Sequence, residues 1–345
     1  MSGGVDSSVA AALLKNNGYD VVGVFMKFWT PQERGGHRRA ENLCCSAKAR
    51  MDAKRVAVKL NIPFYVLNVQ KEFKKRVVDY FINEYKKGNT PNPCVMCNKY
   101  IKFKFLSKKM LETEADFIAT GHYARIKGRK LLVAKDIKKD QTYFLWTLNQ
   151  KQLKKILFPI GDYTKEQVRG LAKKLGLPVF EKRDSQEVCF VNTNINEFLR
   201  KRINTNKGSI ITVDGKKIGG HEGLIFYTIG QRKGIKIGGI GPFYVVDKDF
   251  KNNALIVAQS EQVSELYKKE MLVSGVNWID KPKKFPFHCK VKIRYLHKAM
   301  PATVFKVYGS KFKVLFTNPQ RAVTPGQSAV FYSGNEVLGG GIIEK

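Results

Sequence analysis

The sequence predicts an α/β protein: an N-terminal doubly wound parallel sheet, then a small central β-rich domain, then a C-terminal antiparallel β-barrel. Three observations predict it. Through the N-terminal part, segments of helical periodicity alternate with short apolar runs. Near residue 205 the texture turns Gly-rich, with GKKIGGHEGLIFYTIGQRKGIKIGG at its heart, and helical periodicity disappears. After residue 270, the runs KVKIRYL, ATVFKVYG, KFKVLFT and SAVFYSG alternate at the spacing of a small barrel. The expected domains are 1–200, 201–268 and 269–345.

Each element follows from its own residues. Positions 7–15 set small and apolar side chains at helical spacing and run into Asn16-Asn17-Gly18, a stop, before the apolar strand 21–28. The pattern continues as helix 47–60, strand 63–68 (PFYVLN), helix 71–87, helix 101–112 and strand 116–121 (DFIATG). Such alternation implies parallel strands covered by helices on both faces.

Charge narrows the function. The 345 residues carry 62 Lys and Arg against 29 Asp and Glu, a formal charge of +33 that points to a polyanionic partner such as nucleic acid. Runs such as KEFKKR (71–76) and KDIKKD (135–140) mix with acidic and apolar residues, so part of this charge belongs to solvated helix faces. No stretch approaches the roughly 18 to 20 apolar residues of a membrane span. The N-terminus lacks a basic segment with a cleavage site, so a cytoplasmic chain with no membrane attachment is expected. Six cysteines then read as thiols or ligands, not as a disulfide framework.

The opening stretch SGGVDS (Ser2, Gly3, Gly4, Val5, Asp6, Ser7) has the make-up of an anion-binding loop. Its glycines remove the Cβ atoms that would block a backbone from wrapping a phosphate, and the helix that follows aims its free N–H groups at the same place. It lacks the Lys of the G-x-x-x-x-G-K-S/T loop, so γ-phosphate chemistry is not indicated. The hexapeptide resembles the pyrophosphate loop of ATP pyrophosphatases. Such a loop normally follows the central first strand of the sheet. Here the sequence begins at the loop, so the sheet is expected to lack that strand, with Met1 expected to be an internal methionine that follows several apolar residues; the alternative is that another segment fills the gap.

The second constellation is GNTPNPCVMCNKYIKFKFL (88–106). Pro91 and Pro93 predict a stiff loop that presents Cys94 and Cys97 at a turn, ahead of helix 101–112. A C-x-x-C pair reads as half a zinc site, a redox pair, or a nucleophile with its neighbour. A structural zinc site lacks its second pair: Cys44 and Cys45 are adjacent, while Cys189 and Cys289 are solitary. Lys99 and Lys102 would favour a thiolate, as Lys182 and Arg183 would for Cys189 in EKRDSQEVCFV. The alternative for Cys189 is a small core hydrophobe.

Ten segments in order resemble tRNA-specific 2-thiouridylases of the ATP pyrophosphatase superfamily: SGGVDS, FMKFW (25–29), CCS (44–46), TPNPCVMCNKYIKF (90–103), TGHYAR (120–125), KDQTYFLW (139–146), DSQEVCF (184–190), YTIGQRKG (227–234), KIRY (292–295) and RAVTPGQSAVFY (321–332). The resemblance covers the whole chain. It implies an adenine nucleotide alpha hydrolase-like sheet and the ATP-dependent exchange of the 2-oxygen of a wobble uridine for sulfur. The implied site comprises ATP with Mg2+ at residues 2–7, and adenosine against Met26 and Gly121. The resemblance further implies that Cys189 carries a persulfide received from a sulfur-relay protein or cysteine desulfurase, and that Cys97 is the nucleophile that releases the terminal sulfur by forming a disulfide with Cys189. Asn92, Pro93 and Cys94 match positions that contact the flipped target base. His122, Lys139, Asp140, Gln141, Arg294, Tyr295 and Gln327 match tRNA contacts.

One position departs from the pattern. Many members have Asp where Cys94 stands, which leaves the acid or base open. It also opens an alternative in which Cys94, Cys97 and Cys189 ligate a [4Fe-4S] cluster that binds free sulfide. Rival readings are an amide-forming ligase of the same superfamily acting on a small metabolite, and a tRNA-binding module without catalysis.

Overall fold

The structure, a computed structural model, describes residues 1–31, 46–183, 188–191, 194–235, 237, 242–259 and 264–344. Cys44, Cys45 and residues 184–187 of the DSQEVCF segment lie outside the described residues.

The chain opens with α1 (Val5–Asn16), β1 (Gly23–Lys27), α2 (Ala47–Lys59) and β2 (Phe64–Asn68), close to the predicted bounds. Gly18 takes φ +83° just past α1, the left-handed conformation that lets the chain turn back towards β1. β1 and β2 pair in parallel from Gly23↔Phe64 to Lys27↔Asn68. A helical stretch over 70–86 follows: α3 (Gln70–Phe73), a π-helical segment (Lys74–Val78) and α4 (Asp79–Lys86).

The next helix corrects the sequence reading. It runs over 93–112 as α5 (Pro93–Met96), a π-helical segment (Cys97–Phe105) and α6 (Leu106–Glu112). Pro93 begins the helix, where its missing N–H costs nothing and its fixed φ suits the first turn. The Asn92 side chain caps it by accepting from the Cys94 N–H at 3.1 Å. Cys97 is therefore a buried helical residue in the core, where a turn residue was expected.

Then come β3 (Ile118–Ala119), the hairpin β4 (Ala124–Lys127) and β5 (Lys130–Val133), α7 (Gln150–Leu153), β6 (Ile156–Leu157), α8 (Lys165–Lys174) and α9 (Ile195–Arg200). β3 and β6 form a second parallel pair. Among the described residues no strand joins this pair to β1 and β2.

The central part is a four-stranded sheet of β7 (Gly208–Thr212), β8 (Lys217–His221), β9 (Phe243–Asp249) and β10 (Ala254–Gln259), in the order β8-β7-β10-β9. Six antiparallel strands then close a barrel: β11 (Tyr267–Trp278), β12 (Phe287–Lys292), β13 (Met300–Tyr308), β14 (Lys311–Arg321), β15 (Ser328–Ser333) and β16 (Glu336–Ile343). Their order is β11-β14-β13-β12-β15-β16, and β16 returns to β11 at Val273↔Ile343. Val273, Val304, Val314 and Phe331 are fully buried inside it.

Two contacts bind the N-terminal part to the barrel. The hairpin β4–β5 extends the barrel sheet through Leu132↔Glu336, with Lys130 on Glu336 at 2.6 Å. The TYFLW stretch is sewn to the barrel by Trp146 Nε1 donating to Ser328 Oγ at 3.0 Å and the Tyr143 hydroxyl donating to the Ser328 carbonyl at 2.9 Å. Gly340 makes room for that indole, since a Cβ there would lie 2.8 Å from Trp146 Cγ.

Candidate active site

The loop at residues 2–7 is tied from several sides. Ser2 N–H donates to Ser7 Oγ at 3.1 Å, and Ser7 and Ser8 hydroxyls donate to the Gly4 carbonyl at 3.2 and 2.8 Å. Gly3 has φ +69°, and a Cβ there would stand 2.2 Å from the Ala49 carbonyl oxygen on α2. Gly4 differs: a Cβ would meet only Ser2 Oγ, at 3.5 Å. The fold therefore demands glycine at position 3, while at position 4 glycine leaves open the concavity at the start of α1. That cradle, with the N–H groups of α1, fits the phosphates of ATP.

Three residues that the sequence did not connect with this loop complete it. Lys165, nearly buried on α8, donates to Asp6 Oδ1 at 2.7 Å, and the Tyr123 hydroxyl donates to the same oxygen at 3.0 Å. Lys182 donates to the Gly3 carbonyl at 2.9 Å and to Asp52 Oδ2 at 2.7 Å. This corrects the expectation that Lys182 assists Cys189, because its ammonium is spent on the loop. Asp52 carried a weak signal, an acidic residue on the mostly apolar face of α2; it stands nine-tenths buried there. Gly121 abuts the loop from the β3 side, where a Cβ would come within 2.6 Å of Ser7 N. Met26 lies near the end of β1, opposite Leu67.

The cysteine segment is seated where the three parts of the chain meet. Thr90 N–H donates to the Pro325 carbonyl at 2.9 Å, and Gln327 Nε2 donates to the Thr90 carbonyl at 2.7 Å, both from the barrel. From the central part, Thr228 Oγ1 lies 3.3 Å from Thr90 Oγ1. Gly326, at φ +90°, approaches so closely that a Cβ would sit 2.9 Å from Thr90 N. Pro93 is buried, Asn92 is half-buried, and Cys94 is exposed at the start of the helix. Cys97, one turn on, packs in the large apolar cluster, against which the half-buried Cys189 also packs. The residue after Cys97 ties this helix to the TYFLW stretch, as Asn98 Nδ2 donates to the Phe144 carbonyl at 3.2 Å.

The residues matched to tRNA contacts take varied positions. His122 is buried between Phe103 and Phe158, with Nδ1 2.7 Å from Thr120 Oγ1 and Nε2 3.3 Å from Lys102 Nζ. Burial, then the Lys102 charge, hold its pKa well below the usual imidazole value, so the ring is neutral. Asp140 is also buried; it accepts from Ala134 N–H and Thr142 Oγ1 at 3.0 and 2.7 Å, and burial raises its pKa. Lys139 is half-buried, and Gln141 accepts from Tyr123 N–H at 3.0 Å. Arg294 donates to the Ala322 carbonyl, to Thr324 Oγ1 at 2.8 Å and to the Ile229 carbonyl at 3.4 Å, which pins the YTIG turn to the barrel. Tyr295 lies against Phe144 with ring centroids 4.5 Å apart, and its pKa is raised by burial, then by Asp140 and Cys94.

Among the described residues no three His, Cys, Asp or Glu side chains are gathered to hold a metal ion. Cys94 stands exposed while Cys97 is buried. Among the described residues Cys94, Cys97 and Cys189 are not gathered into the donor set that an iron–sulfur cluster needs. Cys289 belongs to the barrel, where burial pushes its thiol up to about 12. No helix among the described residues is long and apolar enough to cross a membrane.

The comparisons with known proteins agree along the whole chain. The tRNA methyl transferase HUP domain family matches residues 1–193, the tRNA methyl transferase PRC-barrel domain family residues 196–259, and the aminomethyltransferase beta-barrel domain family residues 268–343. The tRNA-specific 2-thiouridylase MnmA of Clostridioides difficile (strain 630) is 48% identical over 358 residues, covering 100% of this chain and 97% of that protein. The proteins of the same name from Buchnera aphidicola subsp. Schizaphis graminum (strain Sg) and Acetivibrio thermocellus (strain ATCC 27405) are 48% and 47% identical over 356 residues. They cover 100% of this chain and 95% and 98% of those proteins. With these relatives 47–48% identical over 100% of its length, the chain belongs to the tRNA-specific 2-thiouridylase family.

Proposed function

We propose that this chain is a tRNA-uridine 2-sulfurtransferase that replaces the 2-oxygen of a wobble uridine with sulfur at the expense of ATP. The observation that carries this reading is the seat of the Thr90–Cys97 segment: one exposed and one buried thiol on a capped helix, in the same cluster that receives Cys189. A ligase acting on a small metabolite has no use for that arrangement.

The chemistry follows from the residues. Oxygen on C2 of uracil is a poor leaving group, so it first attacks the α-phosphorus of ATP, and pyrophosphate departs into the loop at residues 2–7. Gly4 and the N–H groups of α1 stabilise the charge that builds there. Lys165 and Lys182 hold the loop in shape through Asp6 and the Gly3 carbonyl. Mg2+ would be held mainly by the ATP phosphates, with Asp6 as the loop's own carboxylate, and would supply charge neutralisation.

Sulfur arrives on Cys189 as a persulfide from a donor protein. The Cys97 thiolate attacks the Cys189 sulfur, the S–S bond to the terminal sulfur breaks, and that sulfur leaves as hydrosulfide. Hydrosulfide attacks C2, AMP departs, and Cys97 and Cys189 remain as a disulfide for a thiol reductant to reopen. The base reaches this site flipped out of the anticodon loop, with Asn92, Pro93 and Cys94 at the helix start as its contacts. Lys139, Arg294, Tyr295 and Gln327, all half-buried, form the tRNA surface beside it. The reaction belongs to the cytoplasm, where tRNA resides.

The test separates the two half-reactions. Cys97→Ser and Cys189→Ser should each lower 2-thiouridine formation by about 1,000-fold or more, as expected for loss of a covalent nucleophile. Both should still release one pyrophosphate per site in the presence of tRNA. Thiolation by Cys97→Ser at the rate of the unaltered protein would overturn the reading.

A further inference from the structure

A buried cation of the central domain reaches the root of the cysteine segment. Lys248 on β9 is 5% exposed, and its ammonium donates to the Gly88 carbonyl and, at 3.1 Å, to the Tyr227 carbonyl. Burying an ammonium is costly unless its protons are satisfied. The Gly88 carbonyl lies just past the end of the 70–86 helix, where carbonyl ends and the helix dipole favour a cation, and the Tyr227 carbonyl of the central part supplies the second acceptor. Gly88 ends that helix in the left-handed conformation, φ +82°, with its N–H on the Tyr85 carbonyl at 2.9 Å. Phe250 covers it so closely that a Cβ on Gly88 would stand 2.2 Å from the ring. Two residues later comes Thr90, and the chain then enters the cap at Asn92 and the helix with Cys94 and Cys97.

We propose that Lys248, with Phe250 packed over Gly88, is a positioning residue that sets where the Cys94–Cys97 helix begins. The proposal rests on Cys97 being the nucleophile. It gives the central domain a part in the chemistry, because the register of the reactive thiol depends on a side chain 151 positions further along the chain. Barrel contacts at Thr90 fix the segment on one side, and Lys248 fixes it on the other.

Lys248→Met keeps the length and apolar stem and removes the ammonium. The expected result is kcat for 2-thiouridine formation lowered about tenfold or more, with KM for ATP and for tRNA each within about twofold, the pattern of a misplaced reacting group. In the absence of ATP and tRNA, alkylation of Cys97 by iodoacetamide, read by peptide mass spectrometry, should rise about fivefold as the segment opens locally. Phe250→Leu provides a second variant that folds readily, since Phe250 is 44% exposed. It should move both readouts in the same direction. A lowered melting temperature with kcat and Cys97 alkylation both unchanged would overturn the proposal. Alkylation needs no turnover, so an unaltered protein that makes no 2-thiouridine counts against the proposed function, while the alkylation comparison still decides the role of Lys248.

Discussion

Gly3 and Gly4 stand next to each other and do different work. Gly3→Ala must force a side chain into left-handed φ, a cost of about 1 to 2 kcal/mol, and also push the Ala49 carbonyl away from 2.2 Å. It should lower the melting temperature, and nucleotide binding with it. Gly4→Ala meets only Ser2 Oγ at 3.5 Å, so stability should be unchanged within about 0.5 kcal/mol. If pyrophosphate lies in the cradle, Gly4→Ala should raise KM for ATP by about tenfold or more, equivalent to one lost charge-assisted hydrogen bond or its steric counterpart. Thermal melts and ATP titrations on the two variants check both halves. An unchanged KM for Gly4→Ala would remove the loop from the nucleotide site. The glycines were legible in the sequence because anion loops have few solutions; Lys165 and Lys182 were not, because their partners Asp6 and Gly3 lie more than 150 positions away.

At the scale of elements, periodicity located the early helices and strands to within a few residues. β2 over Phe64–Asn68 and α2 over Ala47–Lys59 match their predicted spans closely. The misreading of 90–97 has a definite cause. Proline breaks a helix in its interior, yet at the first helical position it is favourable, and Asn92 one residue before it is a cap. The β4–β5 hairpin was missed although its turn is marked: Gly128 and Arg129 both adopt positive φ between short alternating runs. Its partner residue on β16, Glu336, lies 204 positions after Leu132, and no local pattern reveals such a pairing. Arg294 belongs to this scale, since it links the Ile229 turn to the 322–324 corner of the barrel. Arg294→Met removes the guanidinium from the Ile229 carbonyl and Thr324 Oγ1, and leaves the Ala322 carbonyl only the Thr324 hydroxyl at 2.8 Å. It should lower stability by about 2 to 4 kcal/mol in a denaturant titration. A variant as stable as the parent would show that the guanidinium serves tRNA alone.

At the scale of the whole molecule, three parts converge on eight residues. The Thr90–Cys97 segment takes hydrogen bonds from the barrel at Pro325 and Gln327 and a hydroxyl contact from the central sheet at Thr228. On the proposed function, the surplus of positive charge draws the tRNA and the convergence is where its base reacts. The most direct test is to incubate this chain with ATP, Mg2+, a persulfide donor and unmodified tRNA bearing a wobble uridine, and to read the digested nucleosides by mass spectrometry. The account predicts 2-thiouridine at that one position, with one AMP and one pyrophosphate per sulfur inserted. ATP cleavage and tRNA binding without any 2-thiouridine, when sulfur is supplied in excess, would contradict it.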